Sequence, residues 1–466
     1  MPRPVKRKPI ARSVLLFYQL VFLVGILGYL PLFLWRLLGD PSYRKGLSQR
    51  LGRLEPFSEA GGEAPVLWVH GVSVGEVRGA QPLVERLERE FPDHRVLVSA
   101  TTPTGARVAR RIYGEDRVFF FPLDFGSFPR RALDALRPKA VLLMELEIWP
   151  NFLDTAERRG VPVMVVNGRI SERSFKGYRL VRKLLPQFDR IDLFCVQNPT
   201  YAHRLAALGV SRDRIRQTGN LKYDGLDLVE EDPPPDPDLK ALLDLKEGEV
   251  VLVGGSTHPD EEMILGRVAL DLEKKLQKTV RLVVAPRHPE RGAGVAKDLS
   301  RLLKGECPGR HPVLRLTSVR EGREELLPAS WLVADTIGEL LRVYTLADLV
   351  FVGGSLVHHG GQNMLEPLAL RKPTIVGPHV WNFRVDVDLF LKAGGLVQVK
   401  DEKELAQEAL SLLESEERAR ALVDRAGSIL LENKGATERT FREILPFLRS
   451  AGWTRKNKDQ ESSRDG

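Results

Sequence analysis

The stretch Phe351–Pro367, FVGGSLVHHGGQNMLEP, decides how the rest of the chain is read. Leu349–Val352 is an apolar run suited to a buried strand. Gly353, Gly354, Gly360 and Gly361 strip bulk from the turn that follows, and a helical pattern starts near Asn363. A strand, a glycine-rich turn and a helix N-terminus together present outward-facing N–H groups and a favourable dipole to an anion. By itself the pattern fits a tight strand-to-helix turn as well as it fits a nucleotide site. The flanking sequence has to separate the two.

Around this stretch, short apolar runs alternate with amphipathic segments. One series comprises residues 249–256, 281–287, 312–317, 331–335, 348–354, 373–377 and 395–400. An earlier one comprises 66–72, 95–101, 118–123, 140–146, 161–167 and 193–198, with helical patterns such as Ala80–Glu90 and Thr104–Tyr113 between runs. Near-continuous apolar strands separated by helices describe a parallel sheet covered on both faces. The two series are parted by EEDPPPDPD (230–238), dense enough in proline and acid to form a stiff, solvated linker. A chain of 466 residues also exceeds one ordinary core. Two doubly wound α/β domains follow, with a ligand expected in the cleft outside the strands' carboxyl ends.

The net charge of +8 is unevenly placed. Residues 1–53 hold ten Lys/Arg against Asp40 alone, leaving 60 basic and 61 acidic groups for the rest. A nucleic-acid binder spreads basic residues over its folded face; here they bracket an uncharged segment, SVLLFYQLVFLVGILGYLPLFLW (13–35). That length can cross a hydrocarbon core, and Tyr18, Tyr29 and Trp35 suit its interfaces. Pro31 also permits a helix lying in one leaflet. Five basic residues on each side leave the orientation open. Cys195 and Cys307, far apart in sequence, suggest neither a disulfide framework nor a metal motif.

Polar residues gather where the strands end. HGVSVGEV places Glu76 at a helix mouth, as an N-terminal helix charge or as a general base. MELEIWPN supplies Glu145 and Glu147, two apart and on one face if the strand continues. Arg169 and Lys222 close two later strands as cations for a phosphate or carboxylate. In the second series Arg287 offers a guanidinium fork, and Glu339 opens a helix in TIGEL. Metal readings are weak. His358 and His359 are adjacent, which is poor chelating geometry, and the Asp386/Asp388 pair lies in a helical stretch.

The co-linear set HGVSVGE, ATTPTG, MELEIWPN, NGRISERS, GNLKYD, STHPDEE, APRHPER, VADTIGEL and GGSLVHHGGQNMLEP, followed by GPHVWNF, closely resembles the bacterial 3-deoxy-D-manno-octulosonic acid (Kdo) transferases. These are membrane-anchored glycosyltransferases of the GT-B fold. The resemblance implies inverting, metal- and cofactor-independent transfer of Kdo from CMP-Kdo to a lipid A precursor at the cytoplasmic face of the inner membrane. It assigns Glu76 as general base, and Glu145 and Lys222 to transition-state stabilisation. CMP contacts fall on Pro286 and Arg287, on Gly338, Glu339 and Leu340, and on Asn363, Met364, Leu365 and Glu366. The implied organisation is an anchor (1–53), an N-terminal Rossmann-like acceptor domain (54–229) and a linker (230–240). A CMP-sugar domain (241–430), a C-terminal helix returning to the first domain (431–452) and a disordered tail (453–466) follow. The alternatives are a related GT-B transferase using another nucleotide sugar on a membrane lipid, and a catalytically inactive lipid- or nucleotide-binding relative. One position departs from the family. Its usual G-G-H-N is Gly360-Gly361-Gln362-Asn363 here, and Gln cannot carry a proton near neutral pH. If the family His acts as a cation on the phosphate, leaving-group assistance is weaker here or comes from His358 or His359; if it only orients the loop, Gln362 can serve.

Overall fold

The structure, a computed structural model, describes residues 14–21, 23–25, 28, 46–54, 64–182, 187–307, 313–324 and 329–453. The chain forms two compact units, residues 1–225 with 433–466, and residues 226–432.

The first unit is built on a seven-stranded parallel sheet of order β3-β2-β1-β4-β5-β6-β7. Its strands are β1 (Val66–Gly71), β2 (Arg95–Ala100), β3 (Val118–Phe120), β4 (Ala140–Met144), β5 (Val163–Gly168), β6 (Leu193–Val196) and β7 (Ile215–Gln217). The central strands are buried on both faces, so their sequences are apolar apart from His70 and Asn167 near the carboxyl ends, instead of alternating. Strand β7, three half-exposed residues with two polar side chains, lacks that signature and is absent from the sequence expectation. The helix Val74–Glu90 buries Val77, Ala80, Leu83, Val84 and Leu87, one face at helical spacing.

The helix Ala436–Ser450 packs Ala436, Phe441, Ile444 and Leu448 into this same core. Its start is fixed by Asp224, whose carboxylate accepts the N–H groups of Gly435 (2.6 Å) and Thr437 (2.5 Å). Trp453 corrects the expected tail boundary. It is fully buried, edge-on to Phe91 at 5.1 Å between ring centroids, because an indole is too apolar to be left outside an adjacent core. The remainder of the expected tail lies outside the described residues.

The second unit carries another seven-stranded parallel sheet, ordered β10-β11-β9-β8-β12-β13-β14. The strands are β8 (Val250–Thr257), β9 (Val280–Pro286), β10 (Leu314–Arg315), β11 (Leu332–Val333), β12 (Leu349–Val352), β13 (Thr374–Val376) and β14 (Val397–Gln398). Residues 230–240 are largely exposed, but they are not unstructured throughout: Pro237–Leu242 is helical, Asp236 pairs with Arg342 at 2.7 Å, and Asp232 with Lys372 at 2.6 Å. Asp232 and Asp236 thus tie the segment to the second unit.

Residues 13, 22, 26, 27 and 29–35 of the expected membrane segment lie outside the described residues. Those that are described, 14–21 above all, are helical. No helix among the described residues is long and apolar enough to cross a membrane.

Candidate functional site

In the first sheet the strand order reverses between β1 and β4; in the second it reverses between β8 and β12, and β11 is also inserted between β9 and β10. The loops leaving such a pair diverge to opposite faces, which opens a crevice at the strands' carboxyl ends. Glu76 and Glu145 follow the strands of the first reversal and Asn363–Glu366 follow β12 of the second, while Lys222 follows β7, Pro286 and Arg287 lie at the end of β9, and Gly338, Glu339 and Leu340 follow β11.

At the first reversal, Ser73 caps the helix after β1, and Glu76 folds back over that cap. Val72 N–H and Ser73 Oγ–H each donate to its carboxylate at 2.9 Å. This is a variant of the capping box, in which the third helical residue returns to the chain before the cap. Burial raises the pKa of Glu76. The Val72 hydrogen bond opposes the rise, and the nearby charge of Glu145 adds to it. Strand β4 ends at Met144, and Glu145 takes a left-handed backbone, φ 56°, with its N–H still bonded to Val166. The strand therefore does not continue through Glu147, and the two carboxylates do not share a strand face as expected. The turn instead places both in the electrostatic field of Glu76. Glu147 is pushed up to about 8, by burial first and then by the charges of Glu76 and Glu145. Near neutral pH this cluster holds at least one proton.

Lys222 lies in the short turn Leu221–Tyr223, where Asn220 accepts its N–H at 3.1 Å. Its stem crosses the helix one turn beyond Glu76. A Cβ on Gly79 would stand 3.9 Å from both Lys222 Cγ and Met144 Cε. Glu76, Glu145 and Lys222 thus come from three separate chain segments to one end of one sheet.

At the second reversal, the loops after β8 and β12 interlock. Glu261, fully buried, accepts the N–H groups of Gly354 (2.7 Å), Ser355 (3.0 Å), Leu356 (3.0 Å) and His258 (2.9 Å). The amides at the head of the glycine-rich turn are therefore already satisfied by an internal carboxylate. The neighbouring Glu262 is held differently, by the Thr257 hydroxyl at 2.9 Å and both arms of Arg291 at 3.0 and 3.2 Å. His258 stacks on His359, ring centroids 4.1 Å apart, and Gln362 Nε2 donates to its Nε2 at 3.1 Å. Burial, with help from the positive charges of His359, His288, Arg291 and Arg287, lowers His258 to about 4, so it is neutral at physiological pH. His358 packs instead against Trp381 and His379.

Of the expected nucleotide contacts, Pro286 closes β9, and Arg287 is exposed with its N–H donated to Thr257 at 2.9 Å. Gly338 has φ 90°, and Glu339 is bound by Arg320 (2.8 Å) and Arg342 (3.0 Å), which lower its pKa. Leu340 opens the next helix. Asn363 caps the helix Leu365–Ala369 by accepting the N–H of Leu365 at 3.2 Å. Met364 and Leu365 are buried, so they support the turn from beneath, whereas Asn363 and Glu366 retain accessible surface. His258 and Glu261 were not singled out from sequence. The signal available was STHPDEE itself, three consecutive carboxylates at a helix start with no Lys or Arg beside them.

A family profile described as 3-deoxy-D-manno-octulosonic-acid transferase (kdotransferase) matches residues 45–225. The 3-deoxy-D-manno-octulosonic acid transferase of Haemophilus influenzae is 32% identical over 416 residues, 88% of this chain and 93% of that protein. The chain belongs to the 3-deoxy-D-manno-octulosonic acid transferase family. The transferase of the same name from Chlamydia pneumoniae is 31% identical, over 93% of this chain and 96% of its own length. A glycosyltransferase from Rickettsia africae, 11% identical, superposes with a TM-score of 0.53 over 84% of this chain and all of that one. That likeness concerns the fold alone: two parallel-sheet α/β domains resembling those of GT-B glycosyltransferases. In such folds ligands bind outside the carboxyl ends of the strands, at the points where the strand order reverses.

Proposed function

We propose that this Kdo transferase moves Kdo from CMP-Kdo to a lipid A precursor with inversion at the anomeric carbon, without a metal, at the cytoplasmic face of the bacterial inner membrane. The observation that carries this reading is Glu76. Two hydrogen bonds of 2.9 Å orient it at the β1/β4 reversal, and its pKa is raised towards the range a general base needs. Glu76 takes the proton from the acceptor's sugar hydroxyl as that oxygen attacks the anomeric carbon. The C–O bond to the CMP phosphate breaks through an oxocarbenium-like state, and the phosphate leaves with the bonding pair. Glu145 and Lys222 stabilise the charges that develop. Pro286, Arg287, Gly338, Glu339, Leu340, Asn363, Met364, Leu365 and Glu366 form the CMP half-site, and fixed dipoles and cations offset the phosphate's charge. Membrane association is supported by residues 14–24. Leu16, Phe17, Leu20, Val21 and Val24 are more than half exposed there, while Tyr18 and Gln19 bond to Asp124 and Asn151.

The test is to incubate purified protein with CMP-Kdo and lipid A precursor, in excess chelator, and weigh the product. A mass increase of one or more Kdo residues is expected. No transfer, or transfer restored by added Mg²⁺, overturns the proposal. Glu76→Gln should leave CMP-Kdo binding within about threefold and cut kcat by about 10²–10⁴.

A further inference from the structure

We infer that Glu261 is a positioning residue of the donor half-site: a resident anion that permanently fills the amide nest of the glycine-rich turn and so sets the residues downstream of it. The inference rests on the reading of Asn363–Glu366 as donor contacts.

Three consecutive amides, Gly354, Ser355 and Leu356, converge on this one carboxylate, with Gly354 in the left-handed region at φ 65°. Successive N–H groups in such a bend form a concavity for an anionic oxygen. In a nucleotide-binding turn the phosphate would take that place. Here Oε2 receives Gly354 and His258 N–H, and Oε1 receives Ser355 and Leu356 N–H, two donors to each oxygen. These four N–H donors favour the ionised form, against burial, which raises the pKa of the carboxyl. Glu261 has no accessible surface, which leaves no path for phosphate to share the nest. The donor's phosphate is therefore bound beyond the nest, not inside it.

The nest acts on the site through the rest of the turn. Gly361 N–H donates to Gly354 O at 2.7 Å, and Gln362 N–H to Gly353 O at 3.1 Å. The far limb of the turn is thus hung from the residues Glu261 holds. The carboxylate also fixes the His258 backbone, and with it the imidazole that receives the Gln362 amide. Space around Gly353 is equally committed: a Cβ there would stand 2.5 Å from Thr257 Cα and 2.8 Å from Glu261 Oε2. One carboxylate thereby sets Gln362 and Asn363 without touching the donor.

The test compares wild type with Glu261→Gln and Gly354→Ala, using CMP-Kdo and lipid A precursor well below the melting temperature. Gln keeps size but turns an N–H towards two backbone donors. Gly354→Ala leaves the carboxylate intact and disturbs the same turn from its other side, its Cβ meeting His258 Cδ2 at 3.1 Å. Both should raise KM for CMP-Kdo by about 10–10²-fold, with kcat and acceptor KM within about threefold. Unchanged donor KM in both variants, with only the melting temperature lowered, makes Glu261 purely structural and overturns the inference. A lower donor KM in Glu261→Gln also overturns it, because the phosphate would then be taking the nest. If Glu261→Gln fails to fold, Gly354→Ala decides alone. Absence of Kdo transfer by the wild type is a separate outcome, counting against the proposed function.

Discussion

Glu76 and Glu147, at the β1/β4 reversal, both have their carboxyl pKa raised. Burial lifts Glu76, and the charge of Glu145 lifts it further. Glu145→Gln removes a proposed transition-state group and should lower kcat/KM by about 10²–10³. The acid limb of the remaining activity should nevertheless move to lower pH, because Glu76 loses a negative neighbour. A fall in activity with no movement of that limb would mean that Glu145 does not act on the base. Glu147 yields a stability prediction with its sign fixed. Its pKa is raised from 4.5 to about 8, so the folded protein keeps a proton that the unfolded chain has released. That contribution is complete below the unfolded value and is lost as pH rises through about 8. Glu147→Gln, uncharged throughout, should gain stability relative to wild type between pH 5 and pH 9, measured by urea denaturation. Sequence was informative for Glu76, whose placement depends only on a strand end and a cap three residues earlier. It was uninformative for Glu261, three of whose four N–H partners lie 93 to 95 residues away. No local pattern tells a carboxylate which distant turn it will fill.

Elements were legible to the degree that burial shaped their composition. The central strands β1, β4 and β5 are apolar, His70 and Asn167 near their carboxyl ends excepted, because helices cover both faces. Edge strand β7 leaves no such trace, since its residues are half exposed. The C-terminal boundary was misplaced for a related reason: a lone tryptophan beside a polar tail carries no periodicity. Its burial against Phe91 and His94 depends on a core assembled from the other end of the chain. Trp453→Ala should cost about 3–5 kcal/mol, read from urea denaturation, whereas a chain ended after Trp453 should match the full-length protein. Equal loss in both would place the stabilising contacts in residues 454–466 instead.

At the scale of the whole molecule, charge and apolar surface are partitioned in the same direction. Residues 1–53 hold a net +9, and the remaining chain is close to neutral. In residues 14–24 the exposed side chains are Leu16, Phe17, Leu20, Val21 and Val24, at 54–65% exposure, beside two polar bonds to the first unit. Such a face suits a bilayer interface, where apolar burial and attraction to anionic lipid add. Each basic residue near an anionic surface contributes about 1 kcal/mol, and salt screens that part alone. Replacing Leu16, Phe17, Leu20 and Val21 with Ser should therefore abolish sedimentation with anionic vesicles at 0.5 M salt while leaving weak binding at low salt. Neutralising the basic residues should have the opposite profile, with binding reduced at low salt and little changed at high salt. Transfer to a detergent-dispersed acceptor should survive the Ser substitutions, because they touch neither reversal point. Loss of transfer in detergent, with the fold intact, would make the segment part of the acceptor site and not a membrane contact.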